Sequence, residues 1–293
     1  MPEQPADGPA PVPPARVGVL GGGRMGAGIA QSFAAAGSEV LVVESGEEEA
    51  RAALDRIGAS LRRAEERGKL AGAADEVLGR ISAAGSPDAL PRDACLVVEA
   101  VPEDAGLKAR VLAAAERAVG AETVLATNTS SLPVTEIASA LGSPGRFVGM
   151  HFFNPVPASA LVEIVLAPGT SDATREAVLG WTRALGKKDV VVRDSPGFAS
   201  SRLGVALGLE AIRMVEEGVA GPEAIDDAMS LGYRHPMGPL RLTDLVGLDV
   251  RLAIAEHLHA TLGERFAPPR LLREKVARGE LGRKSGQGFH TWT

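Results

Sequence analysis

The chain has one cysteine and one tyrosine in 293 residues, and only 3% of it is aromatic. A lone Cys95 cannot form a disulfide within the chain, which excludes a stapled secreted framework; inside the apolar run Cys95-Leu96-Val97-Val98 it reads as a buried structural thiol. A reducing cytoplasm is the expected setting. So few aromatics leave no stacking platform for bases, and a net charge of −6 with both signs interspersed gives no basic stripe, so no nucleic-acid partner is expected. No apolar run approaches the roughly 18 residues of a membrane span, and the N-terminus lacks the basic-then-apolar pattern of a secretory signal. His257 and His259 stand two apart on a helical pattern and point in different directions, so no metal is expected.

The chain is instead rich in material for a large core, with 45% hydrophobic residues. Residues 1 to 15 carry six prolines and are expected to form a disordered tail. From Arg16, short β-branched runs alternate with longer segments of helical period, the pattern of a parallel sheet built from βαβ units. Strands are expected at 16–20, 39–43, 96–100, 123–126, 147–151 and 162–166, with a further one at 189–192. The charged segment 47–70 reads as a helix or a protruding helical hairpin. After Asp194-Ser195-Pro196-Gly197 the period is almost wholly helical, which places a domain boundary near Arg193. The expected fold is α/β: a Rossmann-like, doubly wound, mostly parallel sheet over 16–193, followed by an all-helical C-terminal domain over 194–293.

The run Gly21-Gly22-Gly23-Arg24-Met25-Gly26 places GxGxxG between a strand and a helix. In such a turn Gly21 permits the tight bend, Gly23 lets the backbone approach a pyrophosphate, and Gly26 allows close packing of helix on strand. Glu44 ends the second strand, where a ribose diol needs an acceptor and where a 2′-phosphate would be repelled. Ser45-Gly46 adds no cation, so NAD is the expected cofactor. The alternative role for Glu44 is to cap the following helix.

Further motifs run in order along the chain: Val98-Glu99-Ala100-Val101-Pro102-Glu103 with Lys108, Asn128-Thr129-Ser130-Ser131-Leu132, His151-Phe152-Phe153-Asn154-Pro155-Val156, Asp194-Ser195-Pro196-Gly197-Phe198, Pro236-Met237-Gly238-Pro239, and Gly282-Arg283-Lys284-Ser285-Gly286-Gln287-Gly288-Phe289. With them the chain resembles, from about Arg16 to Phe289, the 3-hydroxyacyl-CoA dehydrogenase family, including its short bacterial 3-hydroxybutyryl-CoA members. The resemblance implies NAD-dependent oxidation of a 3-hydroxyacyl thioester, reversibly, in a cleft between the two domains of a homodimer. Apolar stretches at 203–215 and 245–255 exceed what one small helical domain covers, in keeping with a dimer.

By itself His151, at the end of an apolar strand, reads as a core histidine; the resemblance makes it the general base, a task suited to an imidazole. Glu163 sits among Leu161, Val162, Ile164 and Val165, where a carboxylate needs a partner, and His151 is the one expected. The resemblance assigns Ser130 to the substrate oxygen, with Ser131 as the cap of a helix beginning near Pro133. It also places Arg24, Met25, Glu103, Lys108, Asn154 and Lys284 along the cofactor, although Glu103 and Lys108 alone read as a helix-surface charge pair. It puts Ser60 and Arg67 against the coenzyme A arm, in a stretch that otherwise reads as a solvated face. One position departs from the family pattern: Ser201 stands in Pro196-Gly197-Phe198-Ala199-Ser200-Ser201-Arg202 where the motif carries asparagine, and offers a single hydroxyl in place of a forked amide. A pathway-specific enzyme acting on a carrier-protein thioester or another hydroxy acid is the second reading, and a non-catalytic NAD-binding relative the third. A hydroxyacid dehydrogenase of the catalytic-lysine type is excluded, since no lysine lies between Lys188 and Lys275.

Overall fold

The computed structural model describes residues 11–292, so the proline-rich segment 1–10 lies outside the described residues. Of the rest of the expected tail, Pro14 is buried and the Ala15 carbonyl accepts a hydrogen bond from Glu39 N (2.9 Å), so the ordered chain begins before Arg16. The chain divides after Asp194 into two compact units.

The first unit is built on eight strands: β1 (Arg16–Leu20), β2 (Glu39–Val43), β3 (Ile81–Ala84), β4 (Leu96–Glu99), β5 (Val124–Thr127), β6 (Phe147–Phe152), β7 (Leu161–Leu166) and β8 (Lys188–Arg193). They form one sheet in the order β3-β2-β1-β4-β5-β6-β7-β8, parallel throughout except between β6 and β7. Every residue of β4, β5 and β6 is buried, which explains their near-continuous apolar runs: a parallel strand covered on both faces has no polar side to show. The strand at 81–84 carries only Ile-Ser-Ala-Ala and was not expected from the sequence; pairing with β2, rather than hydrophobic pattern, defines it.

Among the described residues of this unit there are six α-helices: α1 (Arg24–Ala35), α2 (Glu47–Glu66), α3 (Ala74–Leu78), α4 (Ala105–Ala118), α5 (Val134–Ala138) and α6 (Asp172–Ala184). Of the two readings of 47–70, a helix or a protruding helical hairpin, the structure has the helix: α2 is one 20-residue helix laid on the core. Ala50, Ala53, Ile57 and Leu61 recur at helical spacing on one face and are 2% exposed or less, so the scattered apolar positions are a complete buried stripe. Cys95 is half-buried just before β4, short of the full burial its apolar neighbours suggested.

The second unit contains five α-helices: α7 (Ser200–Glu216), α8 (Pro222–Asp227), α9 (Pro239–Val246), α10 (Leu248–Leu262) and α11 (Arg270–Ala277). Their core gathers Val205, Leu209, Ile212, Leu240, Leu258 and Phe289. Two buried carboxylates tie down the C-terminal tail. Asp244 accepts from Phe289 N and His290 N (both 2.8 Å) and from Trp292 Nε1 (2.9 Å), while Asp226 accepts from Leu240 N (2.8 Å) and His290 Nε2 (2.8 Å). A side chain at Gly288 would stand 2.1 Å from Asp244 Oδ1, so this glycine is required for the tail to close on its anchor.

Candidate active site

The glycine turn between β1 and α1 meets each demand of a dinucleotide cradle. Gly21 has φ +91°, open to glycine and strained for other residues. A Cβ on Gly26 would lie 1.7 Å from the Gly21 carbonyl oxygen, so helix and turn touch only because it is absent. A Cβ on Gly23 would meet nothing within 4 Å, and Gly23 caps α1 without any side-chain hydrogen bond. The N-terminus of α1 is thus a backbone surface with the positive end of the helix dipole behind it, the setting in which a pyrophosphate is held. Arg24 and Met25 open α1, the first exposed and the second packed against the core.

Glu44 follows β2, and its Oε1 accepts from Gly22 N at 2.7 Å. The N-cap of α2 is Gly46, with no side-chain hydrogen bond, and the Glu44 carboxylate is turned to the glycine turn instead. A cation does stand nearby, contrary to the local reading of Ser45-Gly46: Arg56, near the middle of α2, donates from Nη1 to the Gly22 carbonyl (2.5 Å). The residue is twelve positions from Glu44 in sequence, and only the packing of α2 brings it to the turn.

His151 and Glu163 face each other directly across the antiparallel β6–β7 pair. Nδ1 of His151 lies 2.8 Å from Glu163 Oε2, with side-chain exposures of 8% and 1%, so the interaction is screened from solvent. The antiparallel step is what puts them together, since side chains at opposed positions of adjacent strands emerge on the same face. The His151 ring also rests against Phe153, with 4.4 Å between centroids. Asn128, at the end of β5, accepts from Phe152 N through Oδ1 (2.8 Å) and fixes the strand end that carries His151. Asn154 is exposed in the loop that follows.

The pair Glu103–Lys108 is not a helix-surface pair. Lys108 is 1% exposed in the first turn of α4 and donates to Glu99 Oε1 at 2.7 Å, with Glu103 Oε2 at 3.2 Å. Asp104 caps α4 through Leu107 N, and the helix that starts there turns Lys108 inward to the end of β4. Glu99 itself, 0% exposed, was missed by the sequence reading, although it offers the same signal as Glu163: a carboxylate closing an apolar strand. Burial pushes its carboxyl up, with Lys108 countering only in part. Glu103 Oε1 accepts from Thr129 Oγ1 (2.6 Å), Ser130 N (2.9 Å) and Ser131 N (3.2 Å), and both serine hydroxyls lie at 3.3 Å. Burial works to raise the Glu103 carboxyl, but Lys108 and these donors outweigh it and hold it below the usual range. Ser131 therefore joins the Glu103 cluster; it does not cap α5, whose N-cap is Pro133 with no side-chain bond.

Ser60 and Arg67 line one groove of about 610 Å³ in the first unit, together with Arg63, Lys69 and Lys187. The segment read as a solvated face thus turns three of its cations toward a cavity. Ser60 Oγ donates to Gln31 Oε1 (2.7 Å). Lys187, unforeseen in the sequence, is 7% exposed and donates to the carbonyls of Val156 (2.7 Å) and Ser159 (2.6 Å); burial pulls its ammonium below the ordinary lysine range. In the second unit Ser201 stands in the first turn of α7, and Lys284, in a short 3-10 turn at 283–285, pairs with Asp249 of α10 (2.5 Å).

A glycine cradle at the start of α1, a carboxylate after the second strand and a buried His–Glu pair are the features that a nicotinamide-dependent dehydrogenase requires. Residues 16–195 match the family "3-hydroxyacyl-CoA dehydrogenase, NAD binding domain", and residues 197–292 match "3-hydroxyacyl-CoA dehydrogenase, C-terminal domain". The chain belongs to the 3-hydroxyacyl-CoA dehydrogenase family, and its cofactor is NAD. It is 45% identical to a probable 3-hydroxybutyryl-CoA dehydrogenase of Deinococcus radiodurans, over 94% of this chain and 100% of that one. It is 44% identical to the corresponding probable enzyme of Bacillus subtilis, over 94% and 96%. The crystal structure of (S)-3-hydroxybutyryl-CoA dehydrogenase from Ralstonia eutropha is similar, with a TM-score of 0.90 and 39% identity over 96% of this chain and 99% of that one.

Proposed function

We propose that the protein interconverts a short 3-hydroxyacyl-CoA, of the 3-hydroxybutyryl type, and its 3-oxo counterpart, with His151 as general base and acid. The buried His151–Glu163 contact carries this reading. NAD, when bound, supplies the acceptor for the hydride that leaves C3. His151 Nε2 takes the hydroxyl proton as that hydride departs and the C–O bond becomes a carbonyl; in the reverse direction it returns the proton. Glu163 holds the proton on Nδ1, fixes the ring, and stabilises the imidazolium that forms.

Ser130 is assigned to the substrate oxygen. Gly21, Gly23, Arg24, Met25 and Gly26 would hold the pyrophosphate, Glu44 the adenosine ribose diol, and Glu103, Lys108 and Asn154 the nicotinamide half. Coenzyme A is favoured over a carrier protein because Arg63, Arg67, Lys69 and Lys187 share a groove with Ser60, a setting suited to a phosphorylated nucleotide arm. A homodimer through the second unit is supported by Leu203, Leu245, Val246 and Val250, exposed by 70%, 41%, 41% and 41%; a monomeric mass by light scattering would exclude it. The unpaired Cys95 suits a cytoplasmic setting.

Replacing His151 by glutamine tests the central assignment. The variant is expected to bind NADH as the parent does and to lose about 100-fold or more in kcat. A His151→Gln enzyme that turns over at the parent rate would end the proposal.

A further inference from the structure

The Thr129–Ser131 turn carries the serine assigned to the substrate oxygen. Thr129 Oγ1 braces the turn locally, accepting from Ser131 N (3.3 Å) and Leu132 N (2.9 Å), and a chain of buried charge ties the turn to the sheet. Glu99 closes β4 in register with Leu20 of β1 and Thr127 of β5, so its backbone is part of the rigid sheet. Its Oε2 accepts from Thr127 Oγ1 (2.6 Å), and its Oε1 accepts from Val101 N and Lys108 Nζ (both 2.7 Å). The Lys108 ammonium has three protons and three acceptors: Glu99 Oε1, the Val101 carbonyl (3.1 Å) and Glu103 Oε2 (3.2 Å). The shortest contact is to Glu99, on the rigid strand, and the longest to Glu103, on the loop. Glu103 in turn gathers the turn's donors on its other oxygen.

We infer that Glu99 is a positioning residue for the reaction: through Lys108 it fixes Glu103 beneath the Thr129–Ser131 turn and so sets where the Ser130 hydroxyl stands. This rests on the assignment of Ser130 made above. Glu103 is 36% exposed at its side chain, and the buried Lys108 ammonium is the fixed charge behind it. Stability alone does not account for such a chain, because a buried ion pair is often no more stabilising than apolar side chains of the same volume. What a paired charge adds is a defined geometry, here passed from the sheet to a loop in two contacts.

A double-mutant cycle tests this. Glu99→Gln keeps the side chain's size and removes its charge; Ser130→Ala removes the positioned hydroxyl. In turnover of 3-hydroxybutyryl-CoA with NAD, Glu99→Gln is expected to lower kcat about tenfold, leaving KM for the acyl-CoA within threefold. Combined with Ser130→Ala it should lower kcat no further than Ser130→Ala does alone. A Glu99→Gln enzyme at the parent rate beside a slow Ser130→Ala enzyme overturns the inference, as does a double variant whose losses multiply. If Ser130→Ala itself runs at the parent rate, the assignment of Ser130 fails and the inference falls with it. Should Glu99→Gln not fold, Thr127→Val loosens the same carboxylate without changing charge. It should give a smaller kcat loss that vanishes in the Ser130→Ala background, and a full-rate Thr127→Val enzyme would count against the inference.

Discussion

Substituting glutamine for Glu163 removes one charge from beside His151 and little else. The contact is 2.8 Å long and both side chains are nearly inaccessible, so solvent cannot take over the carboxylate's part. A hydrogen bond to a charged group contributes about 1.5–3 kcal/mol net. That stabilisation is fully developed only when His151 carries the transferred proton, so its loss falls on the transition state more than on bound substrate. At about 1.4 kcal/mol per tenfold in rate, kcat should fall roughly 10- to 150-fold. The amide adds to this, because its NH2 can face Nδ1 and favour the tautomer protonated on Nε2, which cannot act as base. The assay is steady-state NADH production from 3-hydroxybutyryl-CoA, with a fluorescence titration of NADH in parallel. NADH affinity should hold, since Glu163 lies on β7 and the glycine cradle on β1 and α1. A Glu163→Gln enzyme within twofold of the parent kcat would refute the reasoning, and so would one that keeps kcat and loses only NADH binding.

Gly26→Ala is expected to abolish NADH binding or to destabilise the first unit, because its methyl group would need the space of the Gly21 carbonyl oxygen. Unchanged binding by titration, with an unchanged melting temperature, would contradict the packing. Glu103 gives a pH-dependent prediction. Its folded-state carboxyl is held below the ordinary range, so its contribution to stability is complete above the usual glutamate pKa of about 4.3 and is lost as pH falls through the depressed value. The parent should therefore melt above Glu103→Gln at neutral pH, and the gap should close in acid; a gap that persists unchanged in strong acid would argue against the cluster.

Most of the strands could be read because parallel strands buried on both faces are apolar without interruption. Where that signal lapses, as in Ile81-Ser82-Ala83-Ala84, the strand is visible only through its partner β2. The dinucleotide turn was legible because Gly21 and Gly26 answer local demands, a positive φ and a close backbone contact, while Gly23 keeps the helix start open. The His151–Glu163 pair was legible because a carboxylate in an apolar strand asks for a partner. Glu99 makes the same demand and was passed over, since its partner Lys108 looked at home on a helix surface nine residues on. Arg56 and Lys187 lay out of reach for a different reason: their partners, the carbonyls of Gly22, Val156 and Ser159, are backbone atoms with no sequence signature. Ser131 was misread because the local rule for helix caps ignores Glu103, which competes for the same hydroxyl from 28 residues away.

The most direct test of the whole account is the rate at which the purified protein oxidises NADH in the presence of acetoacetyl-CoA, followed at the nicotinamide absorbance band and repeated with NADPH. Rapid loss of NADH with little turnover of NADPH is the predicted result, in keeping with Glu44 at the end of β2 and a cationic groove for the coenzyme. Bound NADH that is never oxidised, or a clear preference for NADPH, would contradict it.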